Sequence, residues 1–378
     1  MFNLLLLSSG SLLGQNILDA LDGRRDRVHV VGINTIADSP CIYRCDRVYK
    51  APPQASNDFE PLLLDLIGRE APDCVLPGRD DDVLFLARLA RSHPSLAGIL
   101  PVGAPEAAII MNDKALSHRF AVEHGLPFAS SFPIDDHNHE EALSWAADRY
   151  PLIAKPREGF GSHGIRILCH AGHLQALLRK SSGSLLLQEM LGFDHDRRTC
   201  IQDFLADADT GVPFFFHLPD DAQYAGQALI RPDGTIRDVF TTRSLMVLGR
   251  CESAEIVEDR DLHDITAAYA RAIASFGWRG MFNLQCRKTE NGYVAHELNG
   301  RMSGSTSARR WLGFDEPRLL FQAFQGHDIG PDPREVAGLQ GMVRRMLTDY
   351  FIPSCAAAQF NDSGVWTSAP ESALRPPR

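Results

Sequence analysis

Long hydrophobic runs are missing from this chain. No stretch approaches the roughly 20 apolar residues that span a bilayer. The apolar opening Leu4 to Leu7 has no basic residue before it and runs straight into Ser8-Ser9-Gly10-Ser11, so it reads as a buried first strand and not as a signal peptide. A basic excess is missing too: the net charge is −10, which disfavours a broad footprint on nucleic acid or an anionic membrane, since both need a basic face. Any anionic ligand is left to a local cluster. The eight cysteines are scattered, with no Cys-x-x-Cys pair and no spacing to histidines that a zinc site requires. They read as reduced, buried small hydrophobes of a cytoplasmic protein. His296 precedes a glutamate but lacks the second histidine of His-Glu-x-x-His, which excludes a zinc protease. No internal repeat is present.

What is present is 378 residues, 44% hydrophobic and 23% charged, the make-up of a soluble globular protein of two or three packed units. The first hundred residues alternate strand and helix. Strands at Asn3 to Ser8, Val28 to Ile33 and Asp73 to Pro77, with helices at Gln15 to Leu21, Phe59 to Arg69 and Asp81 to Arg91, predict a parallel, helix-covered α/β sheet that binds ligands at the carboxyl ends of its strands. A helix follows over Asp113 to His124, with Asn112 or Asp113 as N-cap. The pattern then changes to α+β, with short strands at Ser131 to Ile134, Leu152 to Lys155, Ile165 to Leu168 and Leu185 to Gln188, and helices at Glu140 to Arg149 and Ala171 to Lys180. Further strands are expected at Arg198 to Phe204, Val212 to His217, Ala225 to Ile230 and Val239 to Arg243, and a helix at Asp264 to Phe276. The segment "GMVRRMLTDYFIP" is a candidate closing strand, and the stretch from about Asn361, rich in Ser, Pro and Ala, reads as a loose tail.

Two glycine motifs need context. Gly10 and Gly14 fall short of the full dinucleotide fingerprint, and a tight strand-to-helix turn alone needs a glycine. In "KPREGFGSHGIRIL" the fingerprint is complete at Gly159, Gly161 and Gly164, yet Ile165 and Ile167 alternate with Arg166, which predicts a second strand where a dinucleotide loop would begin a helix. The His-Arg-Asp and Asp-Phe-Gly of protein kinases and the Gly-Lys-Ser/Thr of a Walker loop are absent. What remains is a hairpin, mobile or phosphate-covering, with Lys155 ahead of it and Ser162 as an added donor.

The stretch "FNLQCRKTENGYVAHELNGR" forms a second hairpin. A two-residue turn at Asn291-Gly292 would mix polar and apolar side chains on both faces, whereas a three-residue loop, 290 to 292, with Gly292 left-handed at a bulge pairs Gln285 with Glu297 and Asn283 with Asn299. In that register Phe282, Leu284, Cys286, Val294 and Leu298 share one face, and Asn283, Gln285, Arg287, Glu297, Asn299 and Arg301 the other. The polar face is either a solvated sheet surface or a set of hard oxygen donors, Gln285, Glu297 and Asn299, suited to magnesium shared with phosphates.

The order Asn112-Asp113-Lys114, then Lys155-Pro156 with its glycine lid, then Gln188-Glu189-Met190-Leu191-Gly192, then Gln285 followed by Glu297-x-Asn299-x-Arg301, resembles the ATP-grasp superfamily over roughly residues 1 to 330. The chain is most similar to the carbamoyl-phosphate-synthase-like branch. The resemblance implies an N-terminal Rossmann-like pre-ATP-grasp domain (1 to 104) and a two-lobed ATP-grasp domain (105 to 335, lid lobe about 128 to 190, catalytic lobe about 191 to 335), with residues 336 to 378 as an extension. It also implies that Lys114 and Lys155 contact nucleotide phosphates under the lid residues Gly159, Gly161, Ser162 and Gly164. Adenine would lie near Gln188, Glu189, Met190 and Leu191, with Asp194 in the ribose-binding place, a role for which Asp196 competes. Gln285, Glu297 and Asn299 would hold two Mg2+ ions, for which Mn2+ can substitute, with Arg301 near the transferred group.

Arg243 is a second candidate for the γ-phosphate or acyl phosphate, or else a surface strand arginine. Arg309 and Arg310 would recognise a substrate carboxylate or begin a solvated helix. "PGRDDDV", Pro77 to Val83, either faces the acceptor site or caps the next helix. The implied function is an ATP-dependent carboxylate–amine ligase working through an acyl phosphate. Its partners are small-molecule carboxylates and amines, with neither nucleic acid nor membrane, and a homodimer is the form common in the superfamily. The competing readings are a thiol acceptor, carboxy-phosphate chemistry, or a nucleotide-binding regulator that turns nothing over. The loops Arg157 to His163, Cys251 to Asp259 and Ser303 to Gly313 are the candidate specificity segments.

Overall fold

The computed structural model describes residues 1–159, 163–180, 184–192, 195–206, 218, 220, 222–331 and 341–368. The first unit runs β1 (Phe2–Leu6), α1 (Leu12–Leu21), β2 (Val28–Asn34), β3 (Arg47–Lys50), α2 (Phe59–Glu70), β4 (Cys74–Leu76) and α3 (Asp80–Ser92). β1 pairs in parallel with β2 and β4, and β2 with β3. Helices cover both faces of such a sheet, and the nearly continuous burial of β1 follows from that. Ser11 starts α1 by accepting from the Gly14 amide. The short strand β3 was not expected from the sequence.

The helix expected over Asp113 to His124 is preceded by another: α4 (Pro105–Asn112) and α5 (Lys114–Glu123) meet at Asp113, which caps α5 by accepting from the amides of Ala115 and Leu116. Next comes a four-stranded antiparallel sheet from β5 (Ser131–Ile134), β6 (Leu152–Pro156), β7 (Arg166–Leu168) and β8 (Leu185–Glu189), in the order β5-β8-β6-β7. Helices α6 (His139–Ala146) and α7 (Ala171–Lys180) pack on it around Leu152, Ala154, Leu168, Leu174 and Leu187. The glycine segment therefore joins strand to strand, as its alternation predicts.

The expected strand at Arg198 to Phe204 is instead a helix, α8 (His195–Ala206), whose buried residues are Arg197 and Ile201. Thr199 and Ile201 imitate an alternating strand, but the spacing of four is what faces inward. Val212 to His217 lies outside the described residues.

The largest sheet has six strands. It contains β9 (Gln223–Ile230), β10 (Ile236–Val247), β11 (Arg250–Ile256), β12 (Gly280–Thr289) and β13 (Gly292–Asn299), crossed by α9 (Arg260–Ser275). After α10 (Thr306–Trp311) and α11 (Glu316–Gln325), β14 (Met342–Arg344) pairs with β11, giving the order β13-β12-β9-β10-β11-β14. The Met342 segment is thus a closing strand as expected. Most of the Cys251 to Asp259 stretch is the strand β11, not a loop. Over residues 361–368 the expected loose tail is ordered instead: α12 (Ser354–Ser363) leads into β15 (Val365–Thr367), which adds antiparallel to β3 and returns the chain to its first sheet, while residues 369–378 lie outside the described residues. Trp366 is buried there, edge-on to Tyr43, an apolar anchor that the polar composition around it conceals. Among the described residues no helix is long and apolar enough to cross a membrane.

Strand alternation gives the large sheet two faces. One carries Ala228, Phe282, Leu284, Ala295 and Leu298 against Tyr269, Ala270 and Ile273 of α9. The other carries Leu229 and Met281 into a core shared with Phe2 and Leu6 of the first sheet and Phe321 of α11. Between that shared core and the four-stranded sheet this second face turns polar, with Gln227, Asn283, Gln285, Glu297 and Asn299 on it.

Gly226 lets α9 lie this close: a Cβ there would stand 1.9 Å from Thr266 Oγ1 and 2.5 Å from its Cγ2. Thr266 is itself buried and donates to the Leu262 carbonyl at 2.7 Å, so it has little room to yield. Gly226→Ala is therefore expected to destabilise the fold by about 1–3 kcal/mol, measured as a lower denaturation midpoint in urea; an unchanged midpoint would contradict this packing.

Candidate active site

The register of β12 and β13 assembles the polar face. Gln285 lies opposite Glu297 and Asn283 opposite Asn299, as the sequence predicts, but the turn differs from the expected one. Thr289 pairs with Gly292, leaving a two-residue turn of Glu290 and Asn291, and the extra residue sits farther along, where Gln285 pairs with Glu297 while Cys286 pairs with Ala295. The bulged residue is His296. Gly292 does have positive φ, +93°. One assignment is reversed by this: Val294 pairs with Arg287 on the polar side, and Ala295 takes the core place beside Cys286. β9 extends the same face, since Gln227 lies opposite Asn283 and Ala225 opposite Gln285.

Two lysines approach from α5 and β6. Lys155, on β6, is buried and donates to Gln188 Oε1 at 2.7 Å and to the His296 carbonyl at 3.2 Å. Burial pushes its ammonium down to about 8, with Lys114 pushing the same way and Glu297 opposing. Lys114, also buried, donates to the Gly159 carbonyl at 3.0 Å and so tethers the start of the glycine segment. Arg157 pairs with Asp113 and donates through Nε at 3.1 Å, which fixes the strand that carries Lys155 to the start of α5.

Gln188 does not stand free for a base. Its amide is buried between Lys155 and the Ser131 hydroxyl, to which it donates at 3.0 Å, so it orients the lysine. Glu189 ends β8, with its amide donating to the Ser130 carbonyl, and Met190 and Leu191 are buried beyond it. Gly192 follows with positive φ and accepts from Arg197 at 3.2 Å. Arg197 and Arg287 share Asp220, at 2.9 Å and 2.8 Å. Gly159 and Gly164 both have positive φ, which favours glycine. Gly161, Ser162 and Asp194 lie outside the described residues.

Arg301 is brought to the site by a residue the sequence left ambiguous. Its guanidinium forms a two-bond pair with Asp80, at 2.6 and 2.7 Å, and donates to Asn299 Oδ1 at 3.2 Å. Burial alone would lower the guanidinium, but Asp80 and then Glu297 hold it above its ordinary value. The aspartates of "PGRDDDV" divide their work. Asp82 accepts from the amides of Gly78 and Arg79 at the start of α3, and Asp80 faces the site. Desolvation raises Asp82 to about 6, against its hydrogen bonds.

Three further arginines were candidates, and the structure places each of them. Arg243 lies opposite Tyr224, which lies opposite Cys286, so alternation puts it on the α9 face, away from Gln285 and Glu297; one carboxylate beside it is that of Glu255 at 3.8 Å. Arg309 is 1% exposed and held by both oxygens of Glu316 at 2.9 Å, with Ser303 also accepting. It is an internal strut, neither a substrate clamp nor a solvated helix start. Arg310 is likewise buried, against the Trp311 ring. In both cases a short helix folded over the sheet hides what a surface position would display.

Sequence reasoning missed His296 and Gln223. The Gln223 amide nitrogen lies 3.3 Å from His296 Nε2 and 3.5 Å from Gln285 Oε1. Desolvation, then the charges of Lys155, Arg287 and Lys114, hold this imidazole well below its ordinary range and therefore neutral. Only the bulge marks it, and a bulge has no sequence signature here.

Among the described residues no cluster of three His, Cys, Asp or Glu could hold a metal, and Glu297 is the one carboxylate of the candidate donor set. Gln285 and Asn299 add neutral oxygens. Such a sparse, all-oxygen set fits magnesium that takes the rest of its coordination from phosphates and water.

No family model matches the chain, and no curated protein matches it. Solved structures do. The chain is similar to the biotin carboxylase domain dimer of Hydrogenobacter thermophilus 2-oxoglutarate carboxylase, in complex with magnesium ADP, ADP and bicarbonate: 16% identity, TM-score 0.63, 90% of this chain and 72% of that one. It is similar to carboxyaminoimidazole ribonucleotide synthase from Aspergillus clavatus complexed with ATP (13%, 0.61, 89% and 80%) and to L-amino acid ligase from Bacillus licheniformis (13%, 0.61, 86% and 74%). The chain has the ATP-grasp fold, an N-terminal parallel α/β sheet followed by two antiparallel sheets.

A polyanion bound beside Lys155 favours its charged form. Near pH 8.5, where most of the ammonium has lost its proton in the free protein, binding of a triphosphate is expected to take up protons. Calorimetry in buffers of different ionisation enthalpy reads this directly. The buffer dependence should vanish in Lys155→Met, and its absence in the unmodified protein would count against a depressed Lys155.

Proposed function

We propose that the chain is an ATP-dependent carboxylate–amine ligase. The observation that carries this reading is the placement of Gln285, Glu297 and Asn299 in register on one sheet face, with the buried Lys155 bonded to the backbone of that same strand from the lid side. Lys114 and Lys155 hold the nucleotide phosphates beside Gly159 and Gly164, and Glu189 to Leu191 receive the base. The nucleotide complexes of the biotin carboxylase domain and the carboxyaminoimidazole synthase support ATP and magnesium as ligands of this fold.

Gln285, Glu297 and Asn299 would hold two magnesium ions, or manganese in their place. Magnesium supplies neutralisation of phosphate charge. A carboxylate is a poor electrophile, so it is activated first: its oxygen attacks the γ-phosphorus, the bond to the β-phosphate oxygen breaks, and ADP leaves. The amine then attacks the acyl carbon, phosphate departs with the bonding pair, and the amine nitrogen loses its proton to give the amide. Arg301 and Lys155 offset the charge that builds on the phosphoryl oxygens. No side-chain nucleophile is required.

A second reading is favoured by the bicarbonate in the biotin carboxylase complex: the carboxylate activated here is bicarbonate, and the intermediate is carboxy-phosphate. The dimer in that structure supports a homodimer for this chain as well.

ADP formation from ATP and magnesium, with pooled amino acids, other small carboxylates or bicarbonate, each with and without amines, tests both readings. Turnover stimulated by an acceptor pair is expected, and Glu297→Ala should lower it roughly 100-fold or more while leaving the circular dichroism unchanged. A normal rate in that variant would defeat the metal assignment. Nucleotide binding without turnover on any acceptor would favour a regulator.

A further inference from the structure

The loop after β4 reaches across to the end of β13, and its construction is specific. Asp80 meets the Arg301 guanidinium with both oxygens, side chains 15% and 12% exposed. The remaining arm of that guanidinium, Nη1, donates to the Met302 carbonyl at 3.0 Å. The loop itself is clamped. Ser11 Oγ donates to the Gly78 carbonyl at 2.6 Å, Asp82 gathers the amides of Gly78 and Arg79, and Gly78 packs so close to β1 that a Cβ would stand 2.2 Å from the Leu7 carbonyl oxygen. Asp80 is thus held by the parallel sheet while its carboxylate is delivered to the antiparallel one.

A latch between two units could stop at the ion pair, but this one continues. Arg301 Nη2 also donates to Asn299 Oδ1, the one side-chain hydrogen bond that Asn299 makes among the described residues, while Asn299 Nδ2 is buried without a partner. The orientation of this amide, one of the candidate magnesium ligands, therefore depends on where Arg301 is held. A guanidinium pinned by a two-bond carboxylate keeps one plane; released, it would turn and the amide with it.

We propose that Asp80 is a positioning residue for phosphoryl transfer, acting through Arg301 to fix the Asn299 amide and the guanidinium in one geometry. The inference rests on the ligase reading above. Asp80 itself touches neither nucleotide nor acceptor in this scheme.

The test compares wild type, Asp80→Asn, Arg301→Ala and the double variant. Three quantities are measured: thermal midpoint, kcat and KM for ATP, and the magnesium dependence of affinity for a non-hydrolysable ATP analogue by calorimetry. Asp80→Asn is expected to lower kcat roughly 10- to 100-fold, the scale of a small misplacement at a reacting centre, with KM for ATP unchanged within about twofold. It should also shift the magnesium requirement for analogue binding upward, and add nothing to the loss in Arg301→Ala. A purely structural pair would lower the thermal midpoint and leave kcat and the magnesium requirement alone; that result, or losses that multiply, would overturn the proposal. If Asp80→Asn does not fold, Asp80→Glu keeps the charge and moves the carboxylate by one methylene, and the same readings apply. Wild type without ADP formation on any acceptor would defeat the ligase reading, and analogue binding would then decide separately. An unshifted magnesium requirement in the Asp80 variants overturns the positioning role, and a shifted one sustains it.

Discussion

The bulge at His296 sets the phase of everything around it. On the turn side of β13 the residues alternate so that Tyr293 and Ala295 enter the core under α9. Continued unbroken, that alternation would place Glu297 opposite Leu284, on the apolar face, where a carboxylate has no partner and burial costs several kcal/mol. One extra residue moves it to the other face, opposite Gln285, and moves Asn299 and Arg301 with it. The bulge also turns the His296 carbonyl to Lys155. A single irregularity in a ladder thus decides which side of the sheet carries the charge and ties β6 to it.

The electrostatics follow from what is buried. Lys155 sits in the protein with amide and carbonyl oxygens as its direct partners and with the Glu297 carboxylate in reach of its field. Such an ammonium is poorly compensated, and a polyanion would supply the charge that the protein does not. Arg301 is the opposite case: its carboxylate comes from the N-terminal sheet, so its charge is matched before any ligand arrives. One cation is left wanting an anion, and the other is already held in place.

Much of the fold was legible. Strand and helix alternation gave the parallel sheet, and β-branched Ile165 and Ile167 after the glycines gave a hairpin where a dinucleotide loop was the alternative. Hydrophobic sorting gave the pairing of Gln285 with Glu297, although it located the irregularity at the turn when the chain puts it at His296. Sorting sees only which face a residue needs, and either location satisfies it at that end. The arginines were the least legible. Arg309 and Arg243 look alike in sequence to substrate-facing residues, yet one is consumed by Glu316 seven positions on and the other falls on the helix face by strand parity. Asp80 was hidden for a related reason: a run of aspartates at a helix start already has a local explanation, and the pairing with Arg301 spans 221 positions.

The strand β15 lies along the outer side of β3, where the Lys50 amide donates to the Gly364 carbonyl at 2.7 Å and the Ser368 amide to the Asp46 carbonyl at 2.8 Å. A parallel sheet whose last strand is four residues long would otherwise leave a row of unpaired amides and carbonyls open to any extended segment that drifted past, including one from a neighbouring molecule. With β15 in place, the sheet is shielded on that side by a segment that follows the large antiparallel sheet in the chain. Because both antiparallel sheets lie between β3 and β15 in the chain, β3 is translated well before the strand that covers it, and its edge stays open to pairing until β15 docks.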